Sequence, residues 1–323
     1  MHTISQRNFS FSSKYRLFGL IVCLIFLIYP LSFHTLWIIS PAYRDRFFHS
    51  FNQSNLTNIL ISPSRTLIIY IFGNTHPSAK ENFKFFIRTA VYSSHDADYY
   101  FILQQIDNQV FDEKVLPALP PNAHYIQHEN KCFDLGTVGW FLSSGRIDKT
   151  KYKYFIFLNS SVRGPFIVAY YDNPIWYTVF TRRLTDQIKL MGSTISCESA
   201  PHVQSYLWTM DIHTLNFFLK NTTIFTCHKT KTDTINKGEV LASQILLNSG
   251  FQIASLMRKY QGLDFRQNVT EKCPKNQNQS CDKRGNSGVT HDPYEVVFVK
   301  AKDGRAPFHD NFERIRAYEK WMD

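Results

Sequence analysis

Between Thr66 and Leu158 short apolar runs alternate with helical stripes, and this rhythm limits the possible folds more than any other feature. Thr66 to Phe72 reads as a buried strand ending at Gly73-Asn74. Ala79 to Ser93 carries Phe83, Phe86, Ile87, Ala90 and Val91 at helical spacing. Tyr99–Gln104 and His124–Gln127 read as the next strands, Leu135–Ile147 as a helix, and Tyr154–Leu158 as a strand buried on both faces. Strands separated by helices in this way indicate an α/β fold with a mainly parallel sheet, Rossmann-like in its first half. In such sheets ligands bind at the carboxyl ends of strands. The polar cluster Asn159-Ser160-Ser161 after Leu158, followed by Arg163 and a Gly164-Pro165 turn, is therefore the first place to look for a site.

The second half is less regular. Phe180–Ile188 and Val240–Asn248 read as helices, Lys189–Ser193 and Val203–Thr209 as strands, 264–290 as a polar loop, and Tyr294–Val299 as a last strand. A chain of 323 residues with 44% hydrophobic and 15% aromatic residues can build a large core. The formal net charge of +10 is spread along the chain, with no basic run of the kind that follows nucleic acid, and suits attraction of an anionic ligand.

Leu17–Ile39 is a stretch of 23 residues without a formal charge, preceded by Arg7, Lys14 and Arg16. Its length matches a bilayer, and the positive-inside bias leaves the amino end in the cytosol. A cleaved signal peptide is the alternative, but no small-residue cleavage site follows Leu31 directly. The expected organisation is a cytosolic tail (1–16), a signal anchor in the lipid bilayer (17–39), a polar luminal stem (40–64) and a luminal domain (65–323). That is a type II protein of the Golgi or endoplasmic reticulum membrane. Asn-x-Ser/Thr triplets at Asn52, Asn55, Asn221, Asn268 and Asn278 fit a luminal glycoprotein, and Asn159 opens another. Of six cysteines, five follow the apolar stretch. Cys273 with Cys281 and Cys197 with Cys227 are the expected pairs, leaving Cys132.

No Gly-x-Ser-x-Gly elbow, P-loop, dinucleotide glycine motif or zinc-type spacing is present. The candidates are polar residues at element ends. Asp134, in Asn130-Lys131-Cys132-Phe133-Asp134, is expected to cap a helix and could accept hydrogen bonds from a ribose or base. His202 and Gln204 suit sugar hydroxyls. Glu239 precedes the Val240–Asn248 helix, where a carboxylate is stabilised by the helix dipole and can meet an acceptor proton. His291 opens His291-Asp292-Pro293-Tyr294-Glu295 and could meet a divalent ion or a diphosphate.

Taken in order, Asn130-x-Cys132-x-Asp134-x-Gly136, Phe157 through Pro165, His202 through Tyr206 and the His291 block resemble the rhamnan synthesis F-like glycosyltransferases. The resemblance spans residues 66–260 plus the closing block. It implies a GT-A-like nucleotide-diphospho-sugar transferase fold and transfer of a sugar, hexosyl or deoxyhexosyl, from a nucleotide-sugar donor to a glycan or glycoconjugate acceptor. On that pattern Asn130, Asp134, Asn159, Ser160, Ser161 and Arg163 hold the donor, His202, Gln204 and His291 face the donor sugar or acceptor, and Glu239 is the general base. GT-A enzymes use Mn²⁺ or Mg²⁺ held by a strand-end Asp-x-Asp. Asn159-Ser160-Ser161 contains no carboxylate, so a metal site is not assigned and Arg163 or His291 is expected to offset the diphosphate charge. The alternative is an inactive carbohydrate-binding luminal protein that retains the fold.

Overall fold

The structure is a computed structural model that describes residues 65–105, 111–171, 175–274, 291–301 and 315–320. The tail, signal anchor and stem, and with them Asn52, Asn55, Asn278 and Cys281, lie outside the described residues. Among the described residues no helix is long and apolar enough to cross a membrane.

The first half follows the expected rhythm. Strand β1 (Thr66–Gly73), helix α1 (Ala79–Ala90), β2 (Ala97–Gln105), β3 (Ala123–Glu129), helix α2 (Asp134–Ser143) and β4 (Tyr154–Asn159) come in order. The short β5 (Val162–Arg163), a single helical turn α3 (Thr178–Thr181), β6 (Ile188–Gly192), β7 (Ile195–Ser196), β8 (His202–Val203) and β9 (Leu207–Asp211) follow. Helix α4 (Ile212–Asn221), a long helical run α5 (231–248), β10 (Gln252–Ser255), the turn α6 (Pro293–Val296) and β11 (Val299–Lys300) complete these elements.

Seven strands form one sheet in the order β10-β6-β9-β4-β1-β2-β3, with two-stranded pairs β11-β5 and β7-β8 beside it. β1 runs parallel to β2 and β4, β2 to β3, and β6 to β10, while β9 alone runs antiparallel to its neighbours. The mixed α/β class and mainly parallel sheet match the sequence reading.

Every residue of β1 is buried, because layers cover both faces of the sheet. Ile68, Tyr70 and Phe72 point into one layer with Phe83 and Phe86 of α1, Phe101, Trp176, Phe180 and Phe298. The alternate residues Leu67, Ile69 and Ile71 therefore face the opposite layer. That layer contains α2, which packs against β1, and α4, which packs against β4 and β9. Helix α2 lies so close to the segment after α4 that a Cβ on Gly139 would meet the Phe225 carbonyl oxygen at 2.0 Å. Only glycine fits there.

Several second-half expectations are corrected. Phe180–Ile188 is not a helix: α3 ends at Thr181 and Ile188 already belongs to β6. Val203–Thr209 splits into β8 and β9 around a turn at 204–206. Tyr294–Val299 begins as helix, since Pro293 takes the first turn and the Asp292 carboxylate accepts from the Tyr294 amide. Helix α4 was not foreseen, although Asp211 caps it by accepting from the Thr214 amide at 2.7 Å. The cysteine pairing also differs. Cys132 bonds Cys227 and Cys197 bonds Cys273, with Cα separations of 4.9 and 5.5 Å. The close seating of α2 on the 223–227 segment brings Cys132 and Cys227 together, across 95 residues of chain.

Candidate functional site

Parallel register places three strand ends at one edge of the sheet. Gly73 of β1 pairs with Gln104 of β2, and Ile71 pairs with Asn159 of β4. Above this edge lies a cleft of about 690 Å³, lined by Gly73, Gln104 and Asn159 among others. This is the position at which the chemistry of open α/β sheets is expected.

The cleft collects Asn130, Asp134, Asn159, Ser160, Ser161, His202, Gln204 and Glu239 from the sequence-predicted set. Their parts in its geometry differ. Asn159 Nδ2 donates to Asp134 Oδ2 at 2.6 Å, and Asn159 Oδ1 accepts from the Ser161 amide and hydroxyl. The strand-end amide thus ties the β4 terminus to the start of α2. Asp134 does not cap that helix: Phe133 holds the capping position, and Asp134 is the first helical residue, turned toward Asn159. Burial pushes the Asp134 carboxyl up to about 6, against the opposing pull of the Asn159 hydrogen bond and the Lys300 charge.

Ser160 has a structural task. Its hydroxyl donates to the Gly73 carbonyl at 3.0 Å, and its own carbonyl accepts from buried Asn82 at 2.8 Å. Asn82 is a hub, for Nδ2 also donates to the Ala301 carbonyl at 2.9 Å and Oδ1 accepts from Arg163 Nε at 2.7 Å.

Arg163 is the clearest correction. It is 2% exposed, does not line the cleft, and spends its guanidinium on Asn82, Glu319 and Glu81. A buried arginine on the far side of the strand end organises the fold and does not reach a ligand in the cleft. His291 is likewise buried away from the cleft lining, so the structure does not place it at the site.

Glu239 lies inside a helix, not at its start. Helix α5 runs through Lys231–Thr234, a π-helical turn Ile235–Val240 and Leu241–Asn248 without a break. π turns are commonly found at functional sites. Glu239 Oε2 accepts from the Ser205 hydroxyl at 2.7 Å, and Oε1 lies 3.3 Å from His202 Nε2. The other ring nitrogen, His202 Nδ1, lies 2.7 Å from the Ala200 carbonyl oxygen. Both nitrogens therefore face acceptors, which favours the imidazolium. Burial opposes the charge on His202, but the hydrogen bond and charge of Glu239 outweigh it and raise its pKa. Burial likewise opposes the charge on Glu239, yet the His202 hydrogen bond and charge, then Ser205 and Lys300, hold its pKa below the ordinary value.

Gln204 is buried and its Oε1 accepts from Thr194 Oγ1 at 2.6 Å, while Tyr206 donates to the same threonine hydroxyl. The wall carrying His202 and Gln204 is thereby fixed before any ligand arrives.

Sequence reasoning missed Lys231 and Lys300, both of which line the cleft. Lys231 is the first residue of α5, and Lys300 lies on β11. Glu198, Ser196 and Ser199 also line it, beside the Cys197–Cys273 bridge. No local motif marks these residues, since a lysine at an element end has the pattern of a surface charge.

The residues do not fit a dedicated Mn²⁺ or Mg²⁺ site. Such ions require several oxygen ligands, usually including carboxylates. The β4 end offers an amide and two hydroxyls, Asp134 is committed to Asn159, and both oxygens of Glu239 have partners. Among the described residues no group of three or more His, Cys, Asp or Glu side chains is arranged to hold a metal.

No family model matches the chain, and no curated protein matches it. Solved structures similar at low identity include the following three. One is the mannosyltransferase PcManGT from Pyrobaculum calidifontis in complex with GDP-Man and Mn²⁺, at 9% identity and a TM-score of 0.35, covering 67% of this chain. This chain spans 62% of the length of that one. A glycosyltransferase involved in glycosylation of the major capsid of PBCV-1 is 11% identical, with a TM-score of 0.36, covering 80% of this chain and 100% of that one. An active-site mutant of LgtC is 9% identical, with a TM-score of 0.40, covering 79% of this chain and 95% of that one.

Proposed function

We propose that this chain is a glycosyltransferase that moves a sugar from a nucleotide-sugar donor to a glycan or glycoconjugate acceptor. The observation that carries this reading is the register of β1, β2 and β4. It sets Gly73, Gln104 and Asn159 under one cleft whose walls hold hydrogen-bonding side chains, carboxylates and lysines. An anionic, hydroxyl-rich donor matches that lining. Asn130, Asp134, Asn159 and Ser161 belong to the donor side in this reading, and His202 and Gln204 to the sugar or acceptor side. Glu239 is ionised at neutral pH and is the proposed acceptor base. Its resemblance to the rhamnan synthesis F-like enzymes supports the same assignment. The further proposal is that residues 17–39 anchor the protein in a Golgi or endoplasmic reticulum membrane, with 65–323 luminal.

Purified full-length protein, incubated with a panel of nucleotide sugars and mixed glycan acceptors, is expected to release nucleoside diphosphate. A second reading, an inactive carbohydrate-binding protein, is favoured by the carboxylate-free β4 end. Glycan binding with no turnover of any donor would support it. Absence of both activities would overturn both readings.

A further inference from the structure

We propose that Lys300 and Lys231 take the place of a divalent cation in this cleft and hold the diphosphate of a nucleotide ligand. This rests on the nucleotide-sugar reading and specifies how the donor's charge is met.

The charges lining the cleft divide into satisfied and unsatisfied groups. Asp134 accepts from Asn159, and Glu239 accepts from Ser205 and lies against His202. Lys231 and Lys300 line the same space, and neither side chain forms a hydrogen bond or ion pair among the described residues. Asp134 and Glu239 are thus held by the protein, Glu198 is the third carboxylate of the lining and is exposed to solvent, and the lysines remain for an anion.

Lys300 is positioned firmly. Strand β11 pairs antiparallel with β5, setting Lys300 opposite Val162, and the Ala301 amide donates to the Ser161 carbonyl at 2.9 Å. Its Nζ lies 5.7 Å from the centre of the Tyr206 ring, whose face supports the cation without neutralising it. The same charge lowers the proton affinity of both Asp134 and Glu239, as expected for a cation set between the two walls. Lys231 approaches from α5. Each ammonium has three donors, so the pair can engage oxygens on both phosphates.

The test uses full-length protein in detergent, titrated calorimetrically with UDP, GDP, CDP and TDP, in EDTA or in Mn²⁺. Wild type is expected to bind at least one of these in EDTA, with no gain from Mn²⁺. Lys300→Met and Lys231→Met should each weaken that binding by about tenfold or more, the usual size of a lost charge-assisted hydrogen bond. Lys300→Arg should retain most of the affinity, and melting temperatures should match wild type. If Lys300→Met melts early, the exposed Lys231→Met decides. Binding that requires Mn²⁺ and ignores both lysines would overturn the inference and leave the nucleotide reading standing. Failure of every nucleotide to bind in either condition would overturn both.

Discussion

The residue that concentrates the chemistry is Glu239, which is tied to His202 and Ser205 and faces the cleft. Glu239→Gln keeps the size and removes the charge. Turnover is expected to fall by a factor of about 10² to 10⁴, the usual contribution of a general base, while nucleotide affinity persists. A near-normal rate with a lowered melting temperature would reject the catalytic role. The pair also makes stability depend on pH. His202 has a raised folded pKa, so its contribution is complete below its ordinary 6.5 and is lost as pH climbs through the folded value. Glu239 has a lowered one, so its contribution is present above 4.5 and is lost as pH falls through the folded value. The gap in melting temperature between wild type and His202→Gln should be widest between pH 4.5 and 6.5 and should narrow above that window. A gap that widened toward alkaline pH would contradict the ion pair.

Among the elements, α2 and the segment after α4 form the joint on which one cleft wall depends. Gly136 and Gly139 allow α2 to lie against 225–227, with Cβ positions that would meet Cys227 and Phe225 backbone atoms. Gly139→Ala places a methyl 2.0 Å from a carbonyl oxygen, so the backbone must move. A loss of about 1–3 kcal/mol, the common cost of overpacking, is expected in chemical denaturation. An unchanged midpoint would mean that the helix is free to shift. The Cys132–Cys227 bridge lies at the same joint, two residues before Asp134 and four before Lys231. One element thus sets the spacing between a carboxylate and a lysine of the site.

At the scale of the whole molecule, the proposed membrane topology predicts that sealed vesicles shield residues 65–323 from added protease. Glycosidase treatment should increase gel mobility. Asn268 is exposed, and its Oδ1 accepts from the amide and hydroxyl of Thr270, so it is one expected modified position among the described residues. Asn159 starts a triplet too, yet it is engaged with Asp134 and Ser161 at the cleft floor and should carry no glycan. Asn268→Gln is therefore expected to remove one glycan step on a gel. Digestion of the domain in intact vesicles would reject the topology.

The alternation from Thr66 to Leu158 determined by itself that a mainly parallel sheet forms, because apolar periodicity is a local property and both faces of β1 need cover. The polar break at Asn159 likewise located the strand edge where the cleft lies. Element ends were less legible in the second half, where Asp211 and Asp292 cap helices beside apolar runs that also read as strands. Only the tertiary structure decided the rest. It sent Arg163 into a buried network with Asn82, Glu81 and Glu319, paired Cys132 with Cys227, and brought Lys231 and Lys300 to the cleft. These are contacts between residues far apart in the chain, and their partners follow from how layers pack. A sequence window shows which residues can carry charge. Packing decides which charges remain available to a ligand.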